Sequence, residues 1–146
     1  MRGYTAYVHL NDVRFTQRTC SLYFRCGRHV FSLLADLLHG NVSTDDLQLD
    51  VCIYHGQVRT LDHRRCVIMY LYQCATRQRF LIRVWIRFDY HHWCRKVDHL
   101  EVQYSDGLSI LVRGRRAGDL GCYAEFRNDR GVLGWWLCQF ELYNCA

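Results

Sequence analysis

The stretch RFLIRVWIRFD, residues 79–89, alternates apolar and polar side chains and thereby decides the fold class. Successive residues of a strand point to opposite faces of a sheet, so this period of two predicts a half-buried β-strand. A slip of one residue would expose every apolar side chain, so the pattern also predicts which face meets the core. The residues predicted to be buried together are Phe80, Ile82, Val84, Ile86 and Phe88.

The opposite face of the same strand is rich in arginine and carries a tryptophan. Residues 61–116 hold eleven basic and five acidic residues, a net charge of +6 that exceeds the +5 of the whole chain. Arginine holds phosphates and an exposed aromatic ring stacks on bases, so this segment predicts a nucleic-acid-binding surface. The residues predicted to form it are Arg79, Arg83, Trp85, Arg87, Arg113, Arg115 and Arg116.

The rest of the chain is interpreted mostly as further strands. Residues 20–26 and 47–54 alternate, residues 66–74 form an apolar run, and two hairpins are predicted with turns at 106–107 and 128–131. One amphipathic helix is predicted near residues 28–39, with Gly40 as its C-terminal cap. The prediction is a single α+β domain, residues 1–146, with a mostly antiparallel sheet of about eight to ten strands.

The C-terminal segment, residues 131–145, suggests association between copies. If it is a strand, Trp135 and Leu137 lie opposite Trp136 and Cys138, so both faces are apolar. One domain has one core, and the second apolar face would then meet another subunit. A homo-oligomer is therefore expected.

Residues 52–66 place Cys52, His55, His63 and Cys66 at spacings that raise the question of a metal site. Thiolate and imidazole are the donors that zinc prefers. Against a zinc site, no CxxC pair is present, and Cys52 lies in an alternating strand whose core face is formed by its neighbours. A strand–turn–strand explains the same residues better, so no metal or other cofactor is predicted.

The composition sets the expected class and location. Lys96 is the only lysine, so eighteen of the nineteen basic residues are arginine, and proline is absent. We interpret this profile as a nucleotide-level constraint of the kind found in overlapping genes of compact viral genomes. No run of eighteen apolar residues and no signal-peptide pattern is present, and the nine cysteines are odd in number. The expectation is an intracellular protein of the cytoplasm and/or nucleus with reduced cysteines and no membrane partner.

No catalytic motif is present, so the chain is expected to be a non-enzymatic accessory or regulatory protein. The alternative to nucleic-acid binding is an adaptor that recruits host proteins. Residues 21–30, SLYFRCGRHV, resemble the box by which ubiquitin-ligase substrate receptors contact Elongin C. Leu34, Leu37 and Leu38 have a spacing that resembles the LxxLL motif of coactivators, although a core-facing helix predicts the same residues.

Overall fold

The computed structural model describes residues 3–87, 106–114 and 124–145. Those residues form eight strands, three helices and two short 3-10 turns at Leu10–Asp12 and Thr44–Asp46. The strands are β1 (Gly3–His9), β2 (Val13–Phe15), β3 (Thr19–Ser21), β4 (Leu49–Tyr54), β5 (Gln57–Thr60), β6 (Leu81–Arg87), β7 (Ser109–Arg113) and β8 (Ala124–Arg127). The helices are α1 (Val30–Leu38), α2 (His63–Thr76) and α3 (Arg130–Cys145).

The strands form two mixed sheets. The five-stranded sheet has the order β1-β6-β4-β5-β2 and the three-stranded sheet the order β3-β7-β8. Within them β1/β6, β4/β5 and β7/β8 are antiparallel, whereas β2/β5, β4/β6 and β3/β7 are parallel. The α+β class therefore holds, but the prediction of a mostly antiparallel sheet is wrong. Parallel neighbours require crossovers, and α2 lies in the crossover that returns the chain from β5 to β6.

Strand β6 has the faces that its alternation predicted. Ile82, Val84 and Ile86 are buried in the core, and Phe80 is partly buried against it. Phe88 lies outside the described residues. Antiparallel β1 on one side and parallel β4 on the other pair with β6, which is why its apolar face forms the middle of the core.

The predicted helix is present as α1. Its start is capped by the His29 ring, whose Nδ1 accepts a hydrogen bond from the Phe31 N–H at 3.0 Å. Gly40 follows the last turn with φ of +78°, the left-handed conformation expected of a C-terminal glycine. The face toward the core consists of Val30, Phe31, Leu33, Leu34 and Leu37.

Residues 66–74, predicted to be a strand, belong to α2. Six consecutive residues from Cys66 to Leu71 are buried, so the helix is enclosed on all sides rather than on one stripe. A helix of this kind has no periodic apolar pattern, and its sequence resembles that of a buried strand. The Tyr70 hydroxyl lies 2.8 and 2.7 Å from the carbonyl oxygens of Leu10 and Val13, which fixes the helix against the start of the five-stranded sheet.

The predicted C-terminal hairpin is wrong as well, because residues 130–145 form α3. Asp129 Oδ1 accepts hydrogen bonds from the N–H groups of Gly131 and Val132 at 3.0 and 3.2 Å, as an N-cap does. Leu133, Trp136 and Phe140 are buried at helical spacing. The reasoning from a two-faced strand to a homo-oligomer therefore no longer applies.

The remaining predicted strands are only partly recovered. The strand expected at residues 20–26 is confined to β3, which pairs with β7. The turn at Asp106 and Gly107 precedes β7, and Gly107 has φ of +71°, but the first strand of that hairpin lies outside the described residues. In the parts of the chain that the structure describes, no helix is long and apolar enough to cross a membrane.

Candidate nucleic-acid interface

The five-stranded sheet presents a second face on the side away from the core. Residues directly opposite each other on paired strands share a face, and the register aligns Thr5, Trp85 and Asp50 across β1, β6 and β4. Arg59 is opposite Cys52 on β4 and aligned with Arg14 on β2. We call this side of the sheet the arginine face, formed by Tyr7, Arg14, Asp50, Tyr54, Arg59, Arg83, Trp85 and Arg87.

Three of the predicted binding residues come together on this face. Arg83, Trp85 and Arg87 alternate with the buried residues of β6, so they project on the same side of the sheet. Arg79 precedes β6 and is not part of a strand. It is exposed and lines a cavity of about 200 Å³ beside the 3-10 turn at Leu10–Asp12.

The other predicted arginines do not extend the arginine face. Arg113 belongs to the three-stranded sheet, where its guanidinium donates a hydrogen bond to Thr19 Oγ1 at 2.9 Å. Arg115 and Arg116 lie outside the described residues. Of the residues predicted to bind nucleic acid, only Arg83, Trp85 and Arg87 of β6 therefore share one face in the described structure.

The arginine face also contains residues that the sequence did not point to. Tyr7, Arg14, Tyr54 and Arg59 reach it from strands that are short or distant in sequence. Strand β2 has three residues and β5 has four, which is too short for a visible alternation. Their places follow from the register of pairing, which is a non-local property of the fold.

Arg59 holds the arginine face together and is not available to a ligand. Its guanidinium donates to the Phe15 carbonyl and to Gln57 Oε1, both at 3.0 Å, and lies 5.5 Å from the centre of the Tyr54 ring. Its side chain is buried. Burial lowers the pKa of Arg59, and the neighbouring Arg14 charge lowers this pKa further. Arg59 therefore ties β5 to β2 and to the β4–β5 hairpin.

Arg87 is partly neutralised by the acidic residue on this face. Its Nη2 lies 3.3 Å from Asp50 Oδ2, and both side chains are about a quarter exposed. A partly exposed pair of this kind contributes little, so a phosphate could compete with the carboxylate for the guanidinium. Arg87 is expected to contribute less to anion binding than an unpaired arginine.

Arg83 on β6 and Tyr7 on β1 are neighbours on the arginine face, where Tyr7 is exposed and Arg83 is partly buried, with its Nε enclosed. They are opposite each other, and the hydrogen bond from Leu10 N–H to the Phe80 carbonyl shows that this is the close kind of antiparallel pair, with Cα atoms about 4.5 Å apart. Among the described residues, Arg83 has no ion-pair partner. The Tyr7 side chain is 60% exposed. The two side chains therefore project from neighbouring positions on the same side of the sheet.

Trp85 is positioned by a glycine on the neighbouring strand. A Cβ atom at Gly3 would lie 2.8 Å from Cε2 and Nε1 of the indole and 2.4 Å from the Ile86 carbonyl oxygen. The indole therefore lies across the space that the missing side chain leaves. Trp85 is partly buried, so its ring is less accessible than that of Tyr7.

The accessible charge of the arginine face is positive. Arg59 is buried, so three partly exposed arginines stand against one aspartate, a net charge of +2 at the surface. Positive charge beside an exposed ring favours a polymer that carries both phosphates and flat bases.

The four residues weighed as a metal site are not assembled into one. Cys52 is fully buried on β4, on the side of the arginine face; His63 and Cys66 are buried in α2, and His55 is exposed in the β4–β5 turn. Burial also raises the pKa of the Cys66 thiol, which opposes the thiolate that zinc requires. No group of three or more His, Cys, Asp or Glu residues in the described segments is arranged to hold a metal ion.

His63 has a structural environment instead. Its Nε2 accepts hydrogen bonds from the N–H groups of Thr16 and Gln17 at 3.2 and 3.1 Å, and lies 2.8 Å from Thr16 Oγ1. A ring nitrogen that accepts carries no proton, so His63 is neutral with its proton on Nδ1. Burial lowers the pKa of His63 to about 3, and the Arg64 charge adds to this effect. His63 thus joins the β2–β3 connection to the start of α2.

The two protein-recruitment motifs are not presented as such motifs require. Leu34 and Leu37 are buried in the core, so the LxxLL spacing reflects the inner face of α1. Residues 21–30 are not helical before Val30, whereas an Elongin C box is a helix. The core-facing interpretation explains the LxxLL spacing, and residues 21–30 lack the helix that the other motif requires.

Comparison with known protein families, with curated proteins and with solved structures finds no match to this chain. Its function is therefore inferred from its own residues. The feature with the clearest chemical meaning is the arginine face, in particular Arg83 beside Tyr7.

Proposed function

We propose that this protein is a non-enzymatic accessory protein that binds single-stranded nucleic acid through the arginine face. The observation that supports the proposal is the close pair of Arg83 with the exposed Tyr7, on a sheet surface where three partly exposed arginines accompany one aspartate. Sheet surfaces of this composition hold the backbone by charge and stack bases on aromatic rings.

The residues of the face have distinct roles in this proposal. Arg83 contacts phosphate, because it has no ion-pair partner among the described residues. Tyr7 stacks on a base, because its ring is the most exposed aromatic side chain of the face. Trp85 keeps β6 and β1 in place by packing over Gly3, and Arg87 adds a second, weaker phosphate contact. Sequence-independent binding with a strong salt dependence is the expected behaviour.

Replacing Arg83 with glutamine is expected to weaken binding to unrelated single-stranded sequences by a similar factor. It removes one phosphate contact, so the slope of log K against log salt should fall by about 0.7 for a single strand. Fluorescence anisotropy of a labelled oligothymidylate at increasing salt measures both quantities. Arg127→Gln is the control, since Arg127 is about half exposed on β8 of the three-stranded sheet and should leave the slope unchanged. Wild-type protein without salt-sensitive binding near physiological ionic strength would disprove the proposal.

Replacing Tyr7 with leucine tests the stacking role separately from charge. The change keeps an apolar side chain on β1 but removes the flat ring, and should weaken single-stranded ligands by roughly 1 to 3 kcal/mol. Duplex DNA of the same length should be affected much less, because its bases are already stacked. Tyr4→Leu is the control, because Tyr4 is 40% exposed on the same strand but on the opposite face. Equal losses for both variants would show that no base stacks on Tyr7.

A further inference from the structure

Among the strands that the structure describes, β1 lies at the edge of the five-stranded sheet, and its outward-facing backbone groups can be assigned. The hydrogen bond from Leu10 N–H to the Phe80 carbonyl, at 3.3 Å, makes His9↔Leu81 a non-hydrogen-bonded pair. The pattern alternates along an antiparallel ladder, so the N–H and C=O groups of even-numbered residues face β6. Those of Gly3, Thr5, Tyr7 and His9 face outward, and β6 lies on the inner side only.

This edge lacks the features that usually prevent strand pairing. Natural edges are short, bulged, covered, or carry lysine, proline or other charged residues. Strand β1 pairs over seven residues without a bulge and contains no lysine, arginine, acidic residue or proline. Thr5, Tyr7 and His9 are exposed. The opposite edge of the sheet differs, because β2 has three residues and its Phe15 N–H bonds to the Gly107 carbonyl at 2.8 Å.

We propose that β1 pairs in antiparallel orientation with β1 of a second copy, about a two-fold axis at Ala6. In this register the backbone N–H and C=O of Thr5 form hydrogen bonds with those of Tyr7 in the second copy. The backbone N–H and C=O of Gly3 form hydrogen bonds with those of His9 in the second copy. All four outward residues then have partners, whereas a shift of two residues in either direction leaves part of the strand unpaired. The proposal does not depend on the arginine face binding nucleic acid.

The side chains fit this register on both faces. On the arginine face, Thr5 neighbours Tyr7 of the second copy, and on the other face Tyr4 neighbours Val8, so aromatic and β-branched residues meet. Ala6 faces its own symmetry mate, where the close pair requires a small residue. No two like charges are opposite each other. The outcome is a ten-stranded sheet in which the two arginine faces are continuous.

Proline at position 5 tests the pairing. The Thr5 N–H points outward, so proline removes a donor that the monomer does not use and places its ring where the second strand would lie. Light scattering should give about 35 kDa for wild type, twice the 17.5 kDa of the chain, and the monomer mass for Thr5→Pro. We expect the Kd of the dimer to rise by at least about 100-fold in Thr5→Pro, while the fold of the monomer is retained. In Ala6→Pro the lost N–H faces β6, so that variant should lose stability as a monomer.

Cysteine substitution tests the register. Residues 3–14, between Arg2 and Arg14, contain no native cysteine, so a disulfide-linked pair of this tryptic peptide identifies a crosslink at the introduced position. Ala6→Cys should crosslink to itself under mild oxidation, because the paired Cα atoms would lie about 4.5 Å apart. Val8→Cys should not crosslink to itself. Position 8 is opposite Tyr4 of the second copy, and position 8 of that copy lies four residues further along its strand, about 13 Å away.

Two results would overturn the pairing. One is wild-type protein that remains monomeric at concentrations up to about 100 μM, where weak specific interfaces already assemble. The other is a dimer that persists in Thr5→Pro and in Thr5→Lys and does not crosslink through Ala6→Cys, which would place the interface elsewhere. Thr5→Lys keeps the strand backbone and adds the charge that protects natural edges, so it reports on pairing even if proline disturbs β1. Loss of the dimer with nucleic-acid binding retained would support the pairing and leave the proposed function standing.

Discussion

Val84→Asp is expected to abolish the cooperative fold. Val84 is fully buried at the middle of β6, opposite Ala6 on β1 and Leu49 on β4. An aspartate there would place a carboxylate in the centre of an apolar core without a partner, at a cost above about 4 kcal/mol, which is a large share of the stability of a domain this size. Circular dichroism with thermal and urea denaturation measures the loss.

Leu81→Asp is the matched control for this prediction. Leu81 is on the same strand but 56% exposed, so the same substitution should change the free energy of unfolding by less than about 1 kcal/mol. A Val84→Asp protein that melts cooperatively near the wild-type temperature would mean that the apolar face of β6 is not the core face.

Local periodicity explains which elements were predictable. The alternation in β6 and the helical spacing of α1 followed by Gly40 are properties of short segments, and both elements are present. Helix α2 escaped prediction because consecutive residues from Cys66 to Leu71 are buried, which removes the period that distinguishes helix from strand. Helix α3 did carry a local signal, the N-cap Asp129 before an apolar run, which the assumed turn at 128–131 concealed.

Strand pairing between distant segments determines which other residues join the candidate site, and the sequence alone does not show that pairing. Arg83, Trp85 and Arg87 share one strand, so their common face follows from alternation. Tyr7 joins them through antiparallel pairing across more than seventy residues, and Arg14 through a parallel pair of three-residue length. The sequence also could not show that Trp85 packs over Gly3. Because Trp85 packs over Gly3, we expect Tyr7 rather than Trp85 to stack on a base.

The stability of the protein is expected to fall as the pH falls from about 6.5 toward 3, because of His63. In the folded state burial lowers the pKa of His63 to about 3, whereas an unfolded histidine titrates near 6.5. Above about pH 6.5 both states are neutral and the stabilising contribution is complete. Between the two values only the unfolded chain takes up the proton, so stability declines by about 1.4 kcal/mol per pH unit. From pH 6.5 to 5 the free energy of unfolding should drop by about 2 kcal/mol from this group.

His63→Gln separates this effect from the other titrating groups. A glutamine oxygen can accept the hydrogen bonds from the N–H groups of Thr16 and Gln17, but it does not titrate. Urea denaturation at pH 7 and pH 5 should show a smaller acid loss in this variant, by about 2 kcal/mol. Burial lowers the pKa of His29 as well, so His29→Gln is the comparison for a half-buried histidine. Identical acid losses in wild type and His63→Gln would show that His63 can take up a proton without breaking its contacts with the β2–β3 connection.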